Sequence, residues 1–261
     1  MTTQSVSEGQ EPARTDPEQE SDRAAAKWQF ADYRFAPNIG GHPEIYQIEN
    51  EAFARAGHVL SALCGLAPWA GKTIVDLGCG TGFWLARYAA EAAQAIGIEP
   101  DPRVRQQAEA AVAGLPAARV LAGSAEHTGL PDDSADMVHA RFAYFFPPGK
   151  DAGLTEVLRI LRPGGRLIVV DNDYRWGEFS GLLAAAASRP PRETAAEVDE
   201  WWRARGAARH EIRSEWRFAS RADLAAVLHI EFPAKVASDW LARNPAATGL
   251  TYGYVLFAVT A

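Results

Sequence analysis

Residues 74–82 read Ile-Val-Asp-Leu-Gly-Cys-Gly-Thr-Gly. An apolar run ends at an acid, Asp76, and Gly78, Gly80 and Gly82 then alternate with other residues. Glycines at that spacing allow unusual backbone angles and clear side chains from a ligand's path. The turn follows one expected strand and opens one expected helix. It therefore lies at the carboxyl edge of a sheet, where open α/β folds bind ligands. A dinucleotide turn needs its third glycine one residue later, and Phe83 occupies that place. A pyrophosphate tolerates a nearby acid poorly, whereas Asp76 suits a ligand with positive charge. S-adenosylmethionine has that character: an ammonium, a sulfonium and no phosphate. Other reactive side chains gather at expected strand ends. His139 and Arg141 close a fourth strand and share one face, with Ala140 on the other. Asp171 and Asp173 close a fifth. His42 sits in Asn-Ile-Gly-Gly-His-Pro-Glu, a break suited to hinge a lid, flanked by Tyr33 and Tyr46.

The elements that position these groups alternate. Continuous apolar runs predict strands over 73–77, 94–99, 118–123, 136–142 and 166–173. Helices are expected over 82–93, 101–114 and 153–165, the last stopping at Gly164 and Gly165. This order predicts a Rossmann-like α/β fold with helices on both faces of a mostly parallel sheet. Alternation over 208–218 and an apolar run over 250–260 bring the sheet to seven strands, with the last antiparallel. Ser220 and Asp223 give a cap-like start to a helical pair between those two strands, over about 219–247. Ahead of the sheet, residues 24–35 and 44–66 read as helical, and 25–70 are expected to form an N-terminal lid. Residues 1–24 are polar and read as a disordered tail, which leaves 71–261 as the main domain.

Bulk properties narrow the function. The 261 residues are 48% hydrophobic and 23% charged, enough for a sizeable core. A net charge of -7 repels phosphate backbones, so no nucleic-acid partner is expected. The arginine-rich stretch 201–213 reads as a solvated helix face. Two cysteines make no disulfide framework, and no signal or membrane-spanning run is apparent, which together predict a cytoplasmic protein. No metal site is expected, and the chain is expected to be a monomer or homodimer. Richness in Ala, Arg and Gly suggests a bacterial source.

Val-Asp-Leu-Gly-Cys-Gly-Thr-Gly resembles the first motif of class I S-adenosylmethionine-dependent methyltransferases, and further elements follow in register over about 73–172. Ile-Gly-Ile-Glu-Pro ends the second strand at Glu99, where the family places an acid that binds both ribose hydroxyls. Residues 123–138 resemble the segment that holds the adenine, with Ser124 where Asp is usual. Ile-Leu-Arg-Pro-Gly-Gly matches the turn into the fifth strand. The resemblance implies S-adenosylmethionine as cofactor, held by Asp76, Gly78, Cys79, Gly80, Gly82, Glu99, Pro100, Ser124, Ala125, Glu126, Ala140 and Arg141, with Tyr33 and Tyr46 covering it. A buried thiol at Cys79 also reads as simple packing. His139, Asp171 and His42 are the candidates for orienting or deprotonating an acceptor, though methyl transfer needs a base only when the nucleophile carries a proton. Phe145-Phe146-Pro147-Pro148-Gly149 departs from the Asn-Pro-Pro-Tyr motif of DNA amino-methyltransferases at both outer positions. Aromatic residues Tyr174, Trp176 and Phe179 favour a small-molecule acceptor, as in secondary metabolism. Transfer to a protein or peptide, cofactor binding without transfer, and nicotinamide oxidoreduction are the rival readings.

Overall fold

In a computed structural model, which describes residues 29–186 and 194–261, seven strands form one sheet in the order β3-β2-β1-β4-β5-β7-β6. They are β1 (Thr73–Leu77), β2 (Gln94–Glu99), β3 (Ala118–Ala122), β4 (Ala135–Arg141), β5 (Leu161–Asn172), β6 (Ala208–Arg217) and β7 (Gly249–Thr260). Strands β1 to β5 run parallel, and β7 lies antiparallel between β5 and β6. The predicted fold class is the observed one. The chain order reverses direction across β1, with β2 on one side and β4 on the other, which opens a crevice at their carboxyl ends.

Strand alternation feeds two apolar layers. Ile74, Met137, Ile168, Val170 and Tyr254 face one side. There they meet α2 (Pro43–Ala56), α3 (His58–Leu66), α4 (Leu85–Ala89), α7 (Glu178–Ala186), α9 (Arg221–Glu231) and α10 (Ala234–Arg243). Val75, Val138, Leu167, Val169 and Phe257 face the other, under α6 (Asp151–Ile160) and α8 (Ala195–Arg203). The helix α5 (Pro102–Val112) begins where the Asp101 carboxylate accepts from Arg103 N at 2.9 Å, with Pro102 at the first position. Ser220 Oγ likewise accepts from Asp223 N at 3.1 Å to start α9.

The sequence reading differs from the structure at four places. Residues 29–36 form turns and extended backbone instead of a helix, because Asp32 and Tyr33 bond to distant partners described below. The supposed Gly/Pro break holds a short helix, α1 (Pro37–Gly41), and residues 44–66 split into α2 and α3 at Gly57, whose φ is 73°. The helix after the glycine turn shrinks to α4, since 82–85 closes with a tight bond from Leu85 N to Gly82 O. Gly164 and Gly165 are no helix stop: α6 ends at Ile160 and Leu161 is already extended. Their turn instead holds the last residue, with Gly164 N donating to Ala261 O and Ala261 N to Gly165 O, each at 3.0 Å. The tail expected over 1–24 and the first residues of the helix expected over 24–35 lie outside the described residues.

Candidate active site

The crevice deepens into a cavity of about 460 Å³ bounded by the ends of β1, β2, β4 and β5 and by residues 32–39. Its floor is the glycine turn. Gly78 has φ 70° and Gly80 φ 57°, and a Cβ built on Gly78 would meet Ala143 Cβ at 2.5 Å. Side chains are therefore excluded there on two grounds, backbone angle and space. Glu99 stands at the end of β2, with Oε2 accepting from Gly80 N and Oε1 from Asp101 N, both at 3.0 Å. Burial raises its pKa to about 7, against the two backbone donors that lower it. Ser124 also lines the cavity, and its buried hydroxyl has no hydrogen-bond partner among the described residues.

Asp76 does not face the cavity. It lies buried beneath the turn, with Oδ1 3.4 Å from His139 Nδ1 on the neighbouring strand. The same ring nitrogen is 2.7 Å from Tyr88 Oη. Asp76, His139 and Tyr88 thus form a buried cluster beneath the turn, in which Asp76 Oδ2 and His139 Nε2 have no hydrogen-bond partner among the described residues. Cys79 is turned inward too, against Gly97, where a Cβ would meet its sulfur at 2.6 Å.

The N-terminal segment roofs one end. Tyr33 Oη donates to Asp101 Oδ2 at 3.0 Å, and Glu126 N donates to Asp32 Oδ2 at 3.2 Å. These two bonds tie residues 32 and 33 across the ends of β2 and β3. Tyr144 Oη, donating to Glu126 Oε1 at 2.8 Å, closes the same rim. The far end is a chamber lined by Tyr46, Glu49, Asn172, Phe179, Glu231 and Tyr252. Arg141 points between the two ends, with Nη2 2.5 Å from Asn50 Oδ1 and the guanidinium 5.0 Å from the Phe53 ring centre.

Residues 75–169 match the family model described as a methyltransferase domain, and that span contains the glycine turn, Glu99 and Ser124. Over that span the chain is similar to methyltransferase domains. An uncharacterised methyltransferase of Mycobacterium tuberculosis is 35% identical over 143 residues, covering 53% of this chain and 57% of the relative. This chain thus spans a little over half the length of such curated relatives. A methyltransferase of Geobacillus kaustophilus is 26% identical over 165 residues, or 62% of this chain and 73% of its own. The YcgJ protein of Bacillus subtilis shares the fold, with a TM-score of 0.56 at 20% identity, over 78% of this chain and 98% of that one. So does a SAM-dependent methyltransferase of Aquifex aeolicus, with a TM-score of 0.54 at 16% identity, over 86% and 98%.

In this methyltransferase fold, Tyr33, Tyr46, Gly78, Gly80, Glu99, Pro100, Ser124, Ala125 and Arg141 line one cavity. Asp76, Cys79, Gly82, Glu126 and Ala140 lie behind its wall or at its rim, not in its lining. Ala140 packs in the opposite apolar layer, as strand alternation requires. None of the three candidates for handling the acceptor lines the cavity. His139 is sealed under the turn, and His42 is exposed at the junction of α1 and α2. Asp171 is one residue out of phase: Asn172 lines the cavity, and Asp171 borders a small depression with Val255 and Phe257. Burial raises the Asp171 pKa to about 6. Sequence reasoning missed Glu49, Asn50 and Glu231. A signal existed for two of them, since Tyr46, Glu49, Asn50 and Phe53 recur at i, i+3, i+4 and i+7, a helical stripe facing inward.

Proposed function

We propose that this chain transfers a methyl group from S-adenosylmethionine to a small-molecule acceptor. The observation that carries the reading is that Glu99, the Gly78–Gly80 backbone and the Ser124 hydroxyl, which has no hydrogen-bond partner among the described residues, open into one cavity that continues into an aromatic chamber. The residues fit the cofactor. Glu99 offers two carboxylate oxygens to a pair of ribose hydroxyls, and Ser124 Oγ with the Ala125 backbone suits the adenine edge. Arg141, a buried guanidinium whose direct partners Asn50 and Tyr46 are both neutral, is placed to meet the carboxylate of the methionine end. When bound, S-adenosylmethionine supplies an activated methyl group on a sulfonium. The protein's task is to hold the acceptor in line behind that methyl and to keep water out. Such positioning is worth on the order of 7–11 kcal/mol.

A small acceptor is favoured by the enclosure. About 460 Å³ lies within the usual range of small-molecule sites, and residues 32–39 cross its mouth. The net charge of -7 argues against a phosphate-rich acceptor. No described helix is long and apolar enough to cross a membrane.

Calorimetric titration of the purified chain, followed by a transfer assay with methyl-labelled cofactor, tests the proposal. S-adenosylmethionine is expected to bind and NAD not to bind, with S-adenosylhomocysteine formed when a suitable small acceptor is present. Label found only in protein or RNA would overturn the acceptor class. Binding without any S-adenosylhomocysteine would overturn the transfer step. Gly80→Leu is expected to abolish cofactor binding while the chain stays folded. The new side chain would meet only the flexible tip of Ile39, at 2.9 Å, and the left-handed backbone angle costs about 1–2 kcal/mol. Unchanged affinity in this variant would remove the glycine turn from the site.

A further inference from the structure

The chamber beyond Arg141 holds two acids that the cofactor does not use. Glu49 comes from α2 and Glu231 from the last turn of α9, and both line the cavity. The two carboxyl groups act directly on one another, and two acids brought together in a buried site resist being ionised together. Asn38 Nδ2 donates to Glu231 Oε1 at 2.7 Å and fixes one side of the pair, 193 residues away in the chain. No described donor reaches Glu49 Oε2. Burial is the largest effect on both acids, and it pushes the pKa of each above the ordinary value. The groups around the pair are Tyr46 on α2, Arg141 on β4, and Tyr252 and Tyr254 on β7. Arg141 is the one cation among them, and Asn50 holds its guanidinium. Asn172 adds a further carbonyl oxygen, which Tyr252 Oη already engages. The polar lining of this chamber is thus rich in acceptors, and it is walled by Phe179 and Tyr252. Such a lining rejects a carboxylate or phosphate. It suits a group with more than one N–H to give and a cationic product to stabilise, through the acids and the ring faces.

We propose that the methyl acceptor is a neutral primary or secondary amine with an apolar body, and that the Glu49–Glu231 pair binds its N–H groups and takes the proton released on methylation. This rests on the methyltransferase reading above. The nitrogen lone pair forms the bond to the methyl carbon as the carbon–sulfur bond breaks, and that bond's electron pair stays on sulfur. The nitrogen, now cationic, gives its proton to the ionised carboxylate of the pair. That carboxyl group returns the proton to water when the product leaves.

The test uses the full chain, methyl-labelled S-adenosylmethionine, and a panel of aromatic and alicyclic amines with matched phenols, alcohols and thiols. Label is expected in N-methyl products. The double variant Glu49→Gln with Glu231→Gln keeps the size of both side chains but leaves no carboxylate to take the proton. It is expected to lower kcat by about 100-fold or more, with S-adenosylhomocysteine affinity within about twofold of wild type. Glu49→Asp combined with Glu231→Gln is expected to recover part of the rate, which a purely structural role for the two acids would not produce. Transfer only to oxygen or sulfur acceptors, or to none of the amines, overturns the proposal, as does a double Gln variant with wild-type kcat. Transfer to phenols or alcohols alone leaves the methyltransferase reading standing while this inference falls. Failure to bind S-adenosylhomocysteine at all brings down both.

Discussion

Glu99→Ala weakens S-adenosylhomocysteine binding by at least about 100-fold in a calorimetric titration. Hydrogen bonds to a charged group contribute about 1.5–3 kcal/mol each, and a ribose offers two hydroxyls to this one carboxylate. Loss of both corresponds to about two to four powers of ten in affinity. The fold survives, because the variant loses an acid whose charge the interior opposes, leaving only the Gly80 and Asp101 N–H groups to find water. The same site sets a pH dependence. With the free protein's Glu99 pKa at about 7, only the ionised form is ready to accept two hydroxyl hydrogens. Affinity is therefore expected to rise from pH 6 to pH 8 by about tenfold, then level off, and the alanine variant loses that rise. The sign for stability is opposite. A carboxyl raised from its ordinary range stabilises the ligand-free fold fully at pH below about 4.5, and that contribution is lost as pH climbs through about 7. Melting temperatures of the free wild type should fall across that window, and those of Glu99→Ala should fall less. Wild-type affinity in the variant would mean that the ribose sits elsewhere.

Trp202→Ala is expected to cost about 3–5 kcal/mol of stability by denaturant titration. Trp202 lies on α8, 1% exposed, stacked on Phe257 of β7 with ring centres 5.2 Å apart. It also meets Trp201 edge-on at 4.8 Å and Phe145 at 5.5 Å. Among the described residues no other aromatic ring packs on Phe257, so a cavity remains after truncation. Trp202→Phe is expected to cost much less, because the indole N–H has no partner among the described residues and its removal relieves a buried unpaired donor. Neither variant touches the cavity lining, so cofactor affinity of the folded fraction should stay within about twofold of wild type. A loss under about 1 kcal/mol for the alanine variant would show that the layer collapses around the gap.

The local signals were legible where covalent neighbours set the geometry. Asp76 through Gly82 specify a strand, a turn with left-handed angles and a close backbone approach, and none of these needs distant contacts. Glu99 ends its strand by period alone, and strand pairing puts β2 beside β1. The orientation of polar side chains near those ends was less legible. Asp76 turns down to His139 instead of up to the ligand, because the register sets Asp76 opposite His139 and alternation sends both to the inner layer. Asp171 and Asn172 differ by one place in β5, and that one place moves a carboxylate out of the cavity and an amide into it.

The sequence by itself determined the strand–helix alternation of the first half, the glycine floor and the acid that ends β2. These follow from hydrophobic period and backbone freedom, which act within a few residues. Only the tertiary structure decided what stands across from them. Tyr33 reaches Asp101, Asn38 reaches Glu231, and Glu49 meets Glu231, all between segments far apart in the chain. Each acid alone reads as an ordinary polar residue on an amphipathic helix. Their pairing exists because α2 packs on α9 and removes both carboxyl groups from water together, which opposes the ionisation of each.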